Sequence, residues 1–133
     1  MNLILIVEDN ERNMKLLRDV LQATGYETVE AENAEDGVRI AAERKPDLVL
    51  MDIQLPGMSG IDALRVLRAD PQTEAIPVVA VTASVMQQDR KQFTEAGFDG
   101  YIGKPINVRN FLQTVKEMLA ATPKTTASDT PAQ

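Results

Sequence analysis

The sequence predicts an α/β protein: a three-layer, doubly wound (βα)5 domain around a five-stranded parallel sheet. Short apolar runs alternate with longer segments of helical period, which is typical of strands joined by crossover helices. The five runs begin roughly 22 to 28 residues apart, a length that suits one strand and its crossover helix. The chain has 133 residues, which is enough for one domain with a substantial core and too few for two.

Three of the predicted strands are near-continuous apolar runs, as expected where helices cover both faces of a sheet. They are Leu3–Val7, Leu48–Met51 and Ile76–Val81. Tyr26–Val29 and Gly100–Ile102 are weaker runs, and we predict strands there because the alternation requires them.

The first two predicted helices have clear start and stop signals. Asn10 is placed to cap the first helix, and Gly25 follows its last turn. Asn33 with Asp36 resembles a capping box at the start of the second helix, which Lys45-Pro46 ends. The first helix has one apolar stripe, formed by Met14, Leu17, Val20, Leu21 and Thr24.

The third helix is predicted to begin at Ser59, with Asp62 in its first turn, and to end at Asp70-Pro71. We expect it to be buried through Ile61, Leu64 and Leu67. Residues Val85–Ala96 are predicted to form a polar, weakly amphipathic fourth helix that Gly97 closes. Its few core residues are what a movable element is expected to have.

The fifth helix is predicted to start after Asn107, and it has the clearest helical period. From Thr122 onward there are no large apolar residues, so we predict a folded domain over 1–121 and a disordered tail over 122–133. The apolar stripe of the fifth helix consists of Val108, Phe111, Leu112, Val115, Met118 and Leu119.

The sequence contains neither histidine nor cysteine. This excludes catalytic triads, Cys-His nucleophiles, zinc fingers, iron–sulfur clusters and disulfides. The remaining chemistry must use carboxylates, lysine, hydroxyls and hard cations. A net charge of -6 argues against nucleic-acid binding and suits protein partners.

The first nine residues do not have the pattern of a targeting segment. Their apolar run is only about five residues long and ends in acids, so it is neither a signal peptide nor a membrane span. We therefore expect a cytoplasmic protein without membrane insertion.

Polar residues end four of the predicted strands: Glu8-Asp9, Asp52, Thr82 and Lys104-Pro105. Each of these has an ordinary structural explanation when it is taken alone, because strand ends are commonly polar. Ligands of doubly wound sheets bind at the carboxyl ends of the strands, so together these residues indicate a site. Three carboxylates with one lysine form a set of oxygen ligands that suits Mg²⁺ or Mn²⁺.

Asp52 is the one acid that stands alone after a fully apolar strand. A carboxylate can attack phosphorus and form an acyl phosphate. The cation, the Lys104 ammonium and the Thr82 hydroxyl would then cancel charge on the phosphoryl oxygens. The small residues Ala83 and Ser84 leave room beside them.

The loop after Asp52 has turn residues. Pro56-Gly57 fits the centre of a type II turn. Gly60 is expected to be a second position of permissive backbone conformation before the third helix.

These residues resemble the receiver domain of two-component response regulators, the CheY-like family. The resemblance covers roughly Met1–Ala121 and implies the flavodoxin-like strand order 2-1-3-4-5. The motifs that match in order and spacing are Glu8-Asp9, Asp52 to Gly60, Thr82-Ala83, Tyr101 and Lys104-Pro105.

The resemblance implies roles for the site residues. Asp52 would accept a phosphoryl group from a phosphohistidine on a sensor histidine kinase or a histidine phosphotransfer protein. Asp9, Asp52 and the backbone carbonyl of Gln54 would bind Mg²⁺ directly, and Glu8 would act through water. Lys104 would contact the phosphoryl oxygens, as would Thr82.

The resemblance also implies a switch. Lys104-Pro105 is expected to be a cis peptide, and Tyr101 is expected to change rotamer with the state of Thr82. Phosphorylation would then change the face of the fourth helix, fifth strand and fifth helix and so regulate downstream protein targets. The stretches LIVEDNERNMKLL, KPDLVLMDIQLP and YIGKPI further resemble single-domain receivers that control cell division and cell polarity.

Other functions fit parts of the pattern. A Mg²⁺-dependent phosphohydrolase could use the same aspartyl chemistry, but Gln54 stands where a second acid would be needed, and no insertion could form a cap. A flavodoxin-like cofactor binder would need a phosphate cradle, which Asp9-Asn10-Glu11-Arg12 does not provide. A phosphorelay intermediate or a chemotaxis-type regulator of the same fold are further alternatives.

Overall fold

The computed structural model describes residues 2–83, 91 and 94–121. The predicted tail over 122–133 and most of the predicted fourth helix lie outside these residues. Five parallel strands form one sheet with the order β2-β1-β3-β4-β5, so the predicted fold class and strand order are confirmed. The strands are β1 Leu3–Val7, β2 Glu27–Ala31, β3 Leu48–Asp52, β4 Val78–Thr82 and β5 Gly100–Gly103.

The helices begin at the predicted caps. Asn10, Asn33 and Ser59 each accept a hydrogen bond from the backbone N–H three residues later, and Asn107 does the same. The helices are α1 Glu11–Ala23, α2 Ala34–Arg44, α3 Gly60–Ala69 and α5 Val108–Ala121. Residues 91 and 94–96 are helical; they fall within the predicted fourth helix, which is called α4.

The helices pack on both faces of the sheet, as a three-layer fold requires. One core cluster contains Leu64, Leu67 and Phe98. The second cluster, on the other face, contains Leu17 and Phe111. The residues of β1, β3 and β4 are buried apart from Leu3, which explains why their sequences are apolar throughout rather than alternating.

Two predicted strand starts are wrong by one or two residues because neighbouring turns use the backbone groups. The Ile76 N–H bonds the Thr73 carbonyl, and Pro77 has no N–H to donate, so β4 starts later. The Tyr26 N–H bonds the Leu21 carbonyl at the end of α1, so β2 starts after it.

Three predicted burial positions also need correction. Thr24 is exposed, because it caps the end of α1. Ile61 is only half-buried, and Ala63 is the fully buried residue of that turn of α3. Val108 is 42% exposed, and the buried stripe of α5 starts at Phe111.

The strand register aligns the carboxyl ends of four strands. Val7 lies opposite Met51, Asp52 opposite Val81, and Thr82 opposite Gly103. β3 and β4 extend one residue further than predicted, so Asp52 and Thr82 are strand residues rather than loop residues. Residues that follow these strand ends must therefore meet at one edge.

Arg68 ties α3 to the strands beside it. Its guanidinium donates to the carbonyls of Glu74, Ile76 and Gly97 and to the Asp99 carboxylate. That carboxylate also accepts from the N–H of Val78 at the start of β4. This network fixes α3 against the entries to β4 and β5. None of the described helices is long and apolar enough to cross a membrane.

Gly25→Ala should destabilise the protein without affecting the carboxyl edge of the sheet. Gly25 has φ +103°, and a Cβ at this position would have no described atom within 4 Å, so the cost is backbone strain of about 1 to 2 kcal/mol. Urea unfolding followed by circular dichroism measures it. Gly100→Ala is the control, because its Cβ would make ordinary contacts. Equal urea midpoints for the two variants would contradict the attribution of the cost to backbone strain at Gly25.

Candidate functional site

Three carboxylates meet at the carboxyl edge of the sheet. Oxygen atoms of Glu8, Asp9 and Asp52 lie within 4.8 Å of one another. Glu8 and Asp52 are 2% and 3% exposed, whereas Asp9 is exposed. The adjacency follows from the pairing of β1 with β3, which places the residue after Val7 beside the end of β3. The predicted acid cluster is therefore present.

Both carboxylate oxygens of Asp52 are held. Oδ1 accepts a hydrogen bond from the Gln54 backbone N–H at 3.0 Å, and Oδ2 accepts from Lys104 Nζ at 3.1 Å. The side chain that ends β3 is thus oriented by one amide and one ammonium group. The direction of the carboxylate is therefore fixed.

Lys104 reaches the acids from the end of β5. Its Nζ is 3.3 Å from Glu8 Oε1, and its backbone N–H donates to the Thr82 carbonyl at 2.8 Å. The Lys104-Pro105 peptide bond is cis, as the resemblance implies. Burial opposes the charge of Lys104, but the hydrogen bond and attraction from Asp52, and then Glu8, raise its pKa. Lys104 is therefore a permanent cation in this site.

Glu8 is the least satisfied group of the cluster. Its Oε2 accepts from the Asn10 backbone N–H at 3.2 Å. Its buried Oε1 makes no hydrogen bond within the described residues and has only the ion pair with Lys104. Burial, followed by the close contact with Asp52 and the repulsion from it, raises the pKa of Glu8 from 4.5 to about 7, against the opposing effects of Asn10 and Lys104. One ammonium group is insufficient for three carboxylates, and a divalent cation would remove the deficit.

An acidic cavity of about 310 Å³ lies beside α1, next to two of the three acids. Glu11, Glu30 and Glu32 line it together with Glu8 and Asp9, whereas Asp52 does not. Lys15 and Arg18 also line it, but they are paired with Asp19 and Glu30. The charge of this cavity therefore favours a small cation over an anion.

Thr82 and Tyr101 lie on the side of the site away from Glu8. Thr82 is 2% exposed and follows Val81, the register partner of Asp52. Tyr101 pairs with Ala80 and packs partly buried against the core cluster of that face. Because Ala80 and Thr82 are two residues apart on one strand, their side chains share a sheet face. Tyr101 is thus on the face of Thr82.

The loop after β3 confirms one glycine prediction and contradicts another. Gly57 has φ +76°, as the second central position of a type II turn requires. Gly60 does not have a positive φ, so the predicted permissive conformation is wrong. A Cβ at Gly60 would instead lie 2.4 Å from the Asp52 carbonyl oxygen. The residue is a glycine because of close approach rather than backbone conformation.

Sequence reasoning misses two contributors to the site. It predicts Asn10 only as a helix cap, yet the Asn10 backbone N–H also bonds Glu8. It predicts a turn role for Gly60, although the closest neighbour of this residue is the Asp52 backbone. Backbone groups leave no trace in composition, so only the spacing of the glycine from Asp52 could have indicated this contact.

Known proteins are similar to this chain in sequence and in fold. The family model "Response regulator receiver domain" matches residues 4–116. Two relatives named polar-differentiation response regulator DivK, from Brucella anthropi and Brucella ovis, are 47% and 46% identical over 116 residues. These matches cover 87% of this chain and 94% of each relative.

Two solved structures are similar in both sequence and fold. The receiver domain of sensor histidine kinase PA1611 from Pseudomonas aeruginosa, with a magnesium ion coordinated in its active-site cleft, has 30% identity and a TM-score of 0.83. That match covers 90% of this chain and 98% of the other. The signal receiver domain of a histidine kinase from Syntrophus aciditrophicus has 32% identity and a TM-score of 0.84 over all of both chains.

The raised pKa of Glu8 predicts an inverse dependence of stability on pH. The folded state holds the Glu8 proton more tightly than the unfolded state, so the free energy of unfolding falls as pH rises from 4.5 to about 7. The fall contributed by this group is at most about 3 kcal/mol. Urea unfolding with a chelator present, repeated across this pH range, measures it.

Glu8→Gln should flatten that dependence, and saturating Mg²⁺ should flatten it in the wild type, because a cation favours the carboxylate. Glu11→Gln, at an exposed neighbouring acid, is the matched control. A slope unchanged by Glu8→Gln would refute the assignment to Glu8.

Proposed function

This chain belongs to the response regulator receiver domain family, and we propose that it is a phosphorylation switch whose Asp52 accepts a phosphoryl group from a phosphohistidine. One observation carries the proposal. The carboxylate of Asp52 is held between Lys104 Nζ, 3.1 Å away, and the acid pair Glu8 and Asp9. A nucleophile thus lies between a fixed cation and a set of cation ligands.

The oxygen ligands fit Mg²⁺, or Mn²⁺ in its place. Asp9, Asp52 and the Gln54 carbonyl would bind the ion directly, and Glu8 would act through water. Two observations on the described residues support this assignment: the buried Oε1 of Glu8 has only the ion pair with Lys104, and carboxylates outnumber ammonium groups. When bound, the ion supplies positive charge to the phosphoryl oxygens during transfer.

The transfer step follows from the residues around Asp52. A carboxylate oxygen of Asp52 attacks phosphorus, an O–P bond forms, and the P–N bond to the donor imidazole breaks. The electron pair of that bond stays on the imidazole, which takes up a proton. Lys104 pairs with a phosphoryl oxygen instead of with Glu8, and the Thr82 hydroxyl donates to another.

Because this chain contains no histidine, the phosphohistidine must come from outside it. We assign that role to a sensor histidine kinase or a histidine phosphotransfer protein in the cytoplasm. The sequence similarity to the DivK proteins supports a role in cell polarity or cell-division control. On this proposal the receiver spans residues 1–121, and downstream protein targets recognise its phosphorylated form.

The output follows from the shared sheet face of Thr82 and Tyr101. Drawing the Thr82 hydroxyl toward a phosphoryl group vacates space on that face, and Tyr101 turns inward to fill it. Since Tyr101 is on β5, this movement changes the surface formed by α4, β5 and α5. A set of charge-assisted hydrogen bonds supplies the several kcal/mol that a two-state shift needs.

Asp52→Asn should abolish phosphorylation, because the amide nitrogen and oxygen cannot form the acyl phosphate. The protein is incubated with Mg²⁺ and acetyl phosphate, and the mass of one phosphoryl group is sought in the intact protein. Asp62→Asn, at an exposed acid of α3, is the control and should be phosphorylated like the wild type. Acid-labile phosphate on Asp52→Asn would show that another residue is the acceptor.

Thr82→Ala should separate phosphorylation from switching. Asp52 remains available, so phosphate is still incorporated, at a rate reduced about tenfold or more by the loss of one hydrogen bond to the phosphoryl group. Nuclear magnetic resonance shifts of Tyr101 on phosphorylation should disappear. Thr73→Ala removes another buried hydroxyl and should keep these shifts. A full Tyr101 response in Thr82→Ala would contradict the coupling.

A further inference from the structure

We propose that Gly60 is a positioning residue for Asp52: the bare backbone of α3 closes on the Asp52 peptide and thereby fixes the direction of the acceptor carboxylate. The inference rests on the proposed function of Asp52 and replaces the predicted turn role of Gly60 with a role in positioning the carboxylate. Gly60 itself touches no reacting atom.

The space around Gly60 excludes any side chain. A Cβ there would lie 2.4 Å from the Asp52 carbonyl oxygen, 3.0 Å from Ile53 Cα and 3.1 Å from the Asp52 carbonyl carbon. All three are backbone atoms, so no side-chain rotation relieves the contact. The corresponding contact of Gly37, at 2.8 Å, is with a methyl group of Val7.

Backbone hydrogen bonds connect Gly60 to the carboxylate of Asp52. The Gly60 N–H donates to the Ile53 carbonyl at 3.2 Å, and the Ile53 N–H donates to the Val81 carbonyl at 3.2 Å. The next residue, Gln54, donates its N–H to Asp52 Oδ1. Gly60 and β4 thus hold the peptide that precedes Gln54, and Gln54 holds the carboxylate.

The helix cannot easily retreat to admit a side chain. Ala63, Leu64 and Leu67 of α3 are 0 to 1% exposed in the core. At the other end of α3, Arg68 is bound to three carbonyls and to Asp99. An alanine at position 60 would therefore displace the Asp52–Gln54 backbone by roughly half an ångström or more.

That displacement should weaken two measurable properties. The Gln54 carbonyl and the Asp52 carboxylate would no longer be at the right distance from each other to coordinate the same cation, so Mg²⁺ affinity should fall about tenfold. The phosphorylation rate at saturating Mg²⁺ should fall about 10- to 100-fold, since a shift approaching 1 Å can cost two orders of magnitude. A lower rate at saturating cation is not explained by weaker cation binding alone.

The test compares Gly60→Ala with two variants that are destabilised but leave the Asp52 peptide in place. Ser59→Ala removes the cap of the same helix, and Gly25→Ala strains a turn without contacts. Mg²⁺ affinity is measured by calorimetry, and phosphorylation by acetyl phosphate is measured at saturating Mg²⁺, well below the unfolding midpoints. Only Gly60→Ala should bind Mg²⁺ more weakly and be phosphorylated more slowly. Equal values for all three variants would overturn the proposal.

Mg²⁺ binding and phosphorylation of the wild type distinguish a failure of the role of Gly60 from a failure of the proposed function. If the wild type fails to bind Mg²⁺ or accept phosphate, the function of Asp52 is wrong. If it does both while Gly60→Ala matches its controls, only the role of Gly60 is wrong.

Should Gly60→Ala not fold, amide hydrogen exchange of the metal-free wild type decides the matter. The Gly60 and Gln54 amides should exchange at least about tenfold more slowly than the Met58 amide, because both are hydrogen-bonded. Exchange as fast as Met58 would show that the contact does not hold the loop.

Discussion

The concentration of negative charge at the carboxyl edge of the sheet is the constraint on which the site depends. Three carboxylates share a space that contains one ammonium group, and two of the three are almost fully buried. Such a cluster is costly in water-poor surroundings, and the raised pKa of Glu8 is the direct consequence. An added positive charge would relieve this imbalance. The proposed magnesium site and the proposed role of Asp52 as phosphoryl acceptor both depend on it.

The rest of the fold fixes the positions of these charged side chains. Parallel pairing brings the carboxyl ends of β1, β3, β4 and β5 to the same edge of the sheet. The apolar side chains of these strands bury the backbone next to the charged residues. Asp52 and Thr82 are themselves strand residues, so their backbones are fixed by the sheet ladder. The proposed switch needs movement only of side chains: the Lys104 ammonium, the Thr82 hydroxyl and the Tyr101 ring. A fixed backbone with side-chain movement would allow such a switch to return to its starting state.

Much of this could be predicted from the sequence because it depends on side-chain type and spacing. Apolar runs indicate the strands, Asn10, Asn33 and Ser59 indicate helix starts, and the strand-end rule brings Glu8, Asp9, Asp52 and Lys104 together. The resemblance to single-domain regulators is confirmed by the DivK relatives. What could not be predicted depends on backbone atoms. The start of β4 follows from the Ile76 hydrogen bond, and the need for glycine at position 60 follows from the Asp52 carbonyl. A sequence shows neither directly.

The most direct test of the central claim is fluorine nuclear magnetic resonance of the wild-type protein with beryllium fluoride, a phosphoryl mimic, with and without Mg²⁺. If the acid cluster is a cation site that prepares Asp52 for a phosphoryl group, protein-bound fluoride signals should appear only when Mg²⁺ is present, and they should vanish on chelation. Bound signals of equal intensity without Mg²⁺ would contradict the role of the carboxylates as cation ligands. The absence of bound signals at saturating Mg²⁺ would contradict the phosphoryl site itself.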